Sequence, residues 1–257
     1  MKSFPCIDDV PPLLKTSGWE WKRYNPTACD FWIGTDLDGS RWLTKLRGGF
    51  RGYRELVFAR LAQRIGWSCQ TSTFIELGDE AVRVFDKPEI ERFHAAHWFM
   101  PEHPATACST SCPMTLLINP SIPSINELET FPISNILDWA KSDFAALLFG
   151  AHEPSGCFVT QAHEFVIIDS ELMFHSGPQP LKWSSWWNKS DGTPSIRGRH
   201  LALEVCHQIA AFTESELDAF LRIPEPVEFE HLWSIAPLLK ASHCFAKEFA
   251  RINGGHA

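Results

Sequence analysis

The chain has 257 residues, of which 44% are hydrophobic and 21% charged, with a formal net charge of −8. That balance describes a globular chain long enough for one large domain or two lobes sharing a core, and it excludes general nucleic-acid binding, which needs a positive face. Eleven Trp and nineteen Phe against two Tyr predict a core rich in large flat rings.

The first fifteen residues contain Asp8, Asp9 and three prolines and no apolar run of signal-peptide length, and no later stretch is apolar for the length of a membrane span. The expected setting is therefore cytoplasmic, with the eight cysteines present as reduced thiols. Residues 17–33 carry Trp19, Trp21, Tyr24, Phe31 and Trp32, interrupted by Asn25-Pro26, which predicts short strands and a turn with aromatic cover. The runs Phe31-Trp32-Ile33-Gly34 and Arg41-Trp42-Leu43-Thr44-Lys45-Leu46 flank Asp38-Gly39, a strong turn signal, and predict a β-hairpin with Lys45 in its second strand. A flexible basic loop, Arg47 to Gly52, precedes a helix expected from about Tyr53 to Ile65. Leu56, Phe58, Ala59, Leu61, Ala62 and Ile65 form its apolar side, Glu55 lies in its first turn, and Gly66 is its C-cap. Residues 69–85 read as a further pair of strands around Gly78-Asp79.

From Lys87 to Pro113 the chain carries His94, His97, His103, Cys108 and Cys112 among prolines. Their spacing matches no familiar zinc pattern, so this reads as a punctuated loop with incidental His and Cys, with a metal site as the alternative. Met114 to Asn119 reads as a strand and Pro120 to Pro132 as a connector, placing a lobe boundary between 1–118 and 119–257. A helix resumes at Asn135 with Ile136, Ala140, Phe144, Leu147 and Leu148 on one face. The loop Gly150 to Gly156 and the strand Cys157 to Thr160 follow.

Glu164-Phe165-Val166-Ile167-Ile168-Asp169-Ser170-Glu171 then reads as a buried strand that delivers Asp169 at its end. A strand-end carboxylate either holds a magnesium ion that bridges phosphates or caps the next turn. Trp183, Trp186 and Trp187 form a cluster suited to a binding surface or a buried core. Helices are expected over 199–212, after a capping box at Thr213 to Glu216, and from Phe229 to Ile252 with a bend or break at Pro237.

Lys45 on a strand, Glu55 in the next helix, and Asp169 at a later strand end occur in the order of the protein-kinase-like superfamily. More specifically, Trp42-Leu43-Thr44-Lys45 with Tyr53 through Gly66, and Phe165 through Phe174, resemble the lysine strand, the following helix and the metal segment of HipA-like kinases. The resemblance implies an α+β, two-lobed protein-kinase-like fold, with a β-rich N-lobe and a mainly helical C-lobe. It further implies an ATP- and Mg2+-dependent phosphotransferase acting on a protein hydroxyl or a small alcohol. Lys45 would contact phosphates, Glu55 would orient it, and Asp169 with Glu171 would hold magnesium. Gly34 and Gly39 flank a turn that could cover the nucleotide. The chain departs from the family where a catalytic Asp and a metal-binding Asn are expected: Gly150 to Gly156 offers His152 and Glu153, and Asp143 lies upstream in the expected helix. This keeps three candidates for the base, His152, Glu153 and Asp143. It also keeps open a pseudokinase-like module that binds nucleotide or a protein partner without transfer.

Overall fold

The computed structural model describes residues 10–25, 28–46, 49–85, 90–98, 133–151, 157–159, 164–168, 170, 173–178, 196–227 and 234–254. The expected strand at 114–119, the boundary at 118/119, His152, Glu153, Asp169, Glu171 and the Trp183/Trp186/Trp187 cluster lie outside the described residues.

The N-terminal half is a six-stranded sheet in the order β1-β5-β6-β4-β3-β2. Its strands are β1 (Leu13–Lys15), β2 (Glu20–Asn25), β3 (Ala28–Thr35), β4 (Arg41–Lys45), β5 (Ser72–Glu76) and β6 (Phe93–Trp98). Every pairing is antiparallel except β1 with β5. The β3–β4 hairpin forms as Asp38-Gly39 predicts, with Gly39 at φ +78°, a conformation glycine takes at no steric cost.

Register assigns each residue to a face, because side chains alternate along a strand. Leu43 pairs with Ile33 and with His97, and His97 pairs with Ser72, so these four share one face with Lys45 and Phe74. That face receives helix α1 (Gly49–Ile65). The opposite face carries Trp32, Trp42, Ile75 and Ala96, packed with Trp19 and with Ala81 and Phe85 of α2 (Asp79–Phe85). Part of the tryptophan excess of the composition is spent here, with Phe85 set edge-on to Trp21 at 4.8 Å between ring centroids.

Three expectations are corrected. Residues 79–85 form a helix where a strand was expected, because Ala81 and Phe85, four apart, seat one helical face on the tryptophans. Residues 93–98 form a strand inside the segment read as a loop, paired on both sides by β4 and β5. Helix α1 begins at Gly49, so the basic loop is partly helical and Glu55 lies in the second turn. The glycine at 52 has a packing reason: a Cβ there would come within 2.6 Å of the Ala95 Cβ, so its absence lets α1 lie close on β6.

The C-terminal half is helical around a two-stranded hairpin. It comprises α3 (Ile136–Leu148), β7 (Cys157–Val159), β8 (Phe165–Ile167), α4 (Ile196–Ala210), α5 (Glu214–Phe220) and α6 (Ile235–Asn253). The capping box forms as read: Thr213 Oγ1 accepts from the Glu216 amide, and the Glu216 carboxylate accepts from the Thr213 amide. Among the described residues helix α6 runs from Ile235 to Asn253, which puts Pro237 in its first turn, where a missing N–H breaks no helical bond, and the helix continues unbroken beyond it.

One core runs through both halves. Leu56, Phe58 and Leu61 of α1 pack in the same cluster as Phe144, Phe149, Ile167, Val205 and Leu239. Because neighbours cover it almost all round, α1 is buried on nearly every side. It is also tied across by polar bonds: Tyr53 Oη donates to the Leu221 carbonyl at 2.7 Å, and Arg64 bridges Glu216. Burial raises the Tyr53 phenol well above its ordinary value, so it stays a donor.

Candidate functional site

Lys45 ends β4 and points to the α1 face, where Glu55 meets it from the second turn of the helix. Lys45 Nζ lies 2.5 Å from Glu55 Oε1, and the two side chains are only 9% and 3% exposed. The ammonium also sits over the ring of Phe31, its cross-strand partner, at 5.9 Å from the centroid. The pair predicted from sequence is therefore formed, and it is largely removed from water.

Glu55 has a second partner that sequence reasoning missed. His97 Nε2 lies 2.6 Å from Glu55 Oε2, close enough for a charge-assisted contact although the ring N–H is not squarely aligned on the oxygen. The other ring nitrogen, Nδ1, is 2.7 Å from Ser72 Oγ on β5. Burial pushes the Glu55 carboxyl up, but the charges of Lys45 and His97 and their contacts outweigh it and hold the group at about 2. Glu55 is thus a carboxylate under all ordinary conditions. Its charge reaches Cys69, whose thiol burial and Glu55 together raise to about 12.

Cys69 links this charge cluster to the hairpin that precedes Asp169. It forms a parallel bridge with Ile167, in which the Gln70 amide donates to the Ile167 carbonyl and the Ile167 amide donates to the Ser68 carbonyl, both at 2.9 Å. The same edge of β8 is also held by Asn135, whose amide accepts from the Phe165 N–H and donates to the Phe165 carbonyl, while β7 pairs with the opposite edge. Strand β8, which precedes Asp169 in sequence, is therefore held against the segment following α1. Downstream, Met173 and Phe174 are buried in the shared core, with Phe174 against Phe149.

The other named residues fall elsewhere. Gly34 lies on the tryptophan face, opposite Lys45, where a Cβ would meet the Trp19 ring at 2.6 Å and the Trp21 ring at 2.9 Å. Its role there is to admit the indoles. In the turn containing Gly39, the amides of Asp38 and Ser40 donate to Asp36 Oδ1, and the Gly39 amide donates to the Asp36 carbonyl. A turn that spends these amides on itself and carries Asp36 and Asp38 does not present the array of free N–H groups that cradles phosphate. Asp143 is buried within α3, inside the helix. His94 and His97 are three apart on β6 and face opposite sides of the sheet, so they cannot share an ion; the His94 ring contacts the Glu91 carbonyl at 2.9 Å. Among the described residues no group of three or more His, Cys, Asp or Glu is placed to hold a metal. None of their helices is long and apolar enough to cross a membrane.

A lysine strand, a carboxylate helix packed on its sheet, and a helical half built around a hairpin define an α+β protein-kinase-like fold. Comparison with solved structures agrees: the chain is similar to a crystal structure of a Helicobacter pylori proinflammatory kinase, CtkA, with a TM-score of 0.61 over 95% of this chain and 99% of that one, at 10% identity. No family model matches the chain, and no curated protein matches it.

Proposed function

We propose that this protein binds ATP with magnesium and transfers the γ-phosphoryl group to a protein hydroxyl or a small alcohol, in the manner of HipA-like kinases and in the cytoplasm. The observation that carries this reading is the buried Lys45–Glu55 pair on the sheet face shared with α1. An ammonium held rigidly by an ionised carboxylate, in a site with little water, fits a polyphosphate, whose charge it would offset more strongly than a surface lysine could. Magnesium is a hard ion that takes oxygen ligands, and Asp169 with help from Glu171 supplies that chemistry at the end of the β8 segment. When bound, the ion would neutralise charge on the phosphates. His152 or Glu153 would orient the acceptor hydroxyl and take its proton.

The segment Gly150 to Gly156, with neither Asp nor Asn, favours a second reading: a pseudokinase-like module that binds nucleotide or a protein partner and transfers nothing. Incubation with magnesium and γ-labelled ATP separates the two. The enzyme reading expects label on the protein itself or on lysate proteins. It expects Asp169→Asn to remove most turnover, and His152→Ala or Glu153→Gln to lower it by about a hundredfold with ATP affinity retained. Asp143→Asn is expected to leave turnover within a few-fold, since its carboxyl is buried in a helix; a large loss there with none at His152 or Glu153 would move the base to α3. Nucleotide binding without any transfer would select the pseudokinase reading.

A further inference from the structure

We propose that His97 is a positioning residue for the nucleotide-binding lysine: by holding the second oxygen of Glu55 it fixes the carboxylate that aims Lys45. The inference rests on Lys45 being the phosphate-contacting group of the proposed function.

A carboxylate with one partner can swing about its terminal bonds and carry that partner with it. Glu55 has a partner on each oxygen, Lys45 on Oε1 at 2.5 Å and His97 on Oε2 at 2.6 Å, and these approach from different strands. The plane of the group is therefore set, and the ammonium with it. His97 is itself well anchored. It lies in β6, a strand paired on both sides, and its ring is braced by Ser72, its cross-strand neighbour. The ring turns Nε2 towards Glu55 Oε2 while Nδ1 contacts the Ser72 hydroxyl, so the two ends of the imidazole are held from two sides.

There is a second consequence for charge. A carboxylate engaged by lysine alone cancels that lysine; one shared with a further donor leaves more of the ammonium's field for an incoming phosphate. Serine, histidine and glutamate also make up a hydrolytic triad. Here, however, the carboxylate lies on Nε2 and the serine on Nδ1, the reverse of the serine proteases, and Glu55 is shared with Lys45. The ring serves Glu55 and does not activate Ser72.

Calorimetric titration of Mg·ATP into wild-type protein and variants tests the proposal. His97→Leu is expected to weaken binding by about tenfold, and His97→Gln, which keeps a donor near the Nε2 position, to stay within about threefold of wild type. In a Lys45→Ala background His97→Leu should add less than about twofold, because the residue acts through the lysine. A folded His97→Leu protein that binds as wild type overturns the proposal, and so does an equal loss in both backgrounds, which would mark a general structural effect. Should His97→Leu fail to fold, His97→Asn and His97→Gln decide: Asn is too short to reach Glu55, so equal affinities for the two contradict the role. Wild-type protein that does not bind Mg·ATP removes the nucleotide reading itself, and is recognised before any variant is made.

Discussion

Replacing Glu55 with alanine is expected to destabilise the protein by about 3–5 kcal/mol, the range for removing one member of a buried ion pair. The loss leaves Lys45 and His97 facing each other in a site that is almost fully covered. Chemical denaturation measures it as a fall in midpoint at unchanged slope. The same group predicts a pH dependence. Its carboxyl is held at about 2 against an ordinary value of 4.5, so the folded state binds fewer protons than the unfolded chain in that interval. The stabilisation is fully present above pH 4.5 and is lost as pH falls through the interval to about 2, amounting to about 3 kcal/mol. Glu55→Gln should flatten stability over that acid range while leaving other carboxylates to titrate. An unchanged acid profile in Glu55→Gln would show that the carboxylate is not held by these partners.

Gly150→Ala is expected to cost about 3 kcal/mol or more, from two independent effects. Gly150 has φ +68°, and a Cβ built there would lie 2.0 Å from the Ser176 carbonyl oxygen and 2.5 Å from its carbon. Neither atom is at the end of a flexible side chain, so backbone must move. What would move is a clasp in which the Ser176 amide and hydroxyl both donate to the Gly150 carbonyl, and the Phe174 amide donates to the Phe149 carbonyl at 2.7 Å. Gly150 opens the segment with His152 and Glu153, and residues 173–176 close the segment with Asp169. Turnover should therefore fall together with stability. Gly177→Ala is the control, since a Cβ there meets nothing within 4 Å, and it should be close to neutral in a thermal melt. Equal melting of the Gly150 and Gly177 variants would contradict the clasp.

What the sequence revealed depended on how local each signal is. The Asp38-Gly39 hairpin, the Thr213–Glu216 capping box and the Gly66 C-cap at φ +91° are set by neighbours within a few residues, and all were legible. The Lys45–Glu55 pair was legible through the resemblance to HipA-like kinases, and in the fold a hairpin strand and the helix after it bring the two together. The strand at 93–98 was not: Phe-His-Ala-Ala-His-Trp has weak strand preference, and its conformation comes from pairing with β4 and β5, one of them about fifty residues upstream. His97 was missed for the same reason, since its meeting with Glu55 needs that pairing and the packing of α1 on the sheet. The local sequence, two alanines flanked by histidines, carries no strand signal that could have found it. Helix α2 was misread because Val82, Val84 and Phe85 suit a strand, and the tryptophan face behind Ala81 and Phe85 decides for a helix.

The central claim is that Lys45 is a nucleotide-binding lysine, and titrating ATP in a thermal-shift assay with and without magnesium tests it most directly. A ligand that binds only the folded state stabilises it by about 2.7 kcal/mol at a hundred times its dissociation constant, which is readily seen in a melt. The account predicts that millimolar ATP with magnesium raises the melting temperature of wild-type protein, that chelating the magnesium removes most of the rise, and that Lys45→Ala, measured against its own ligand-free melt, loses most of it. No rise in wild type at millimolar Mg·ATP, or an equal rise in Lys45→Ala, would contradict it.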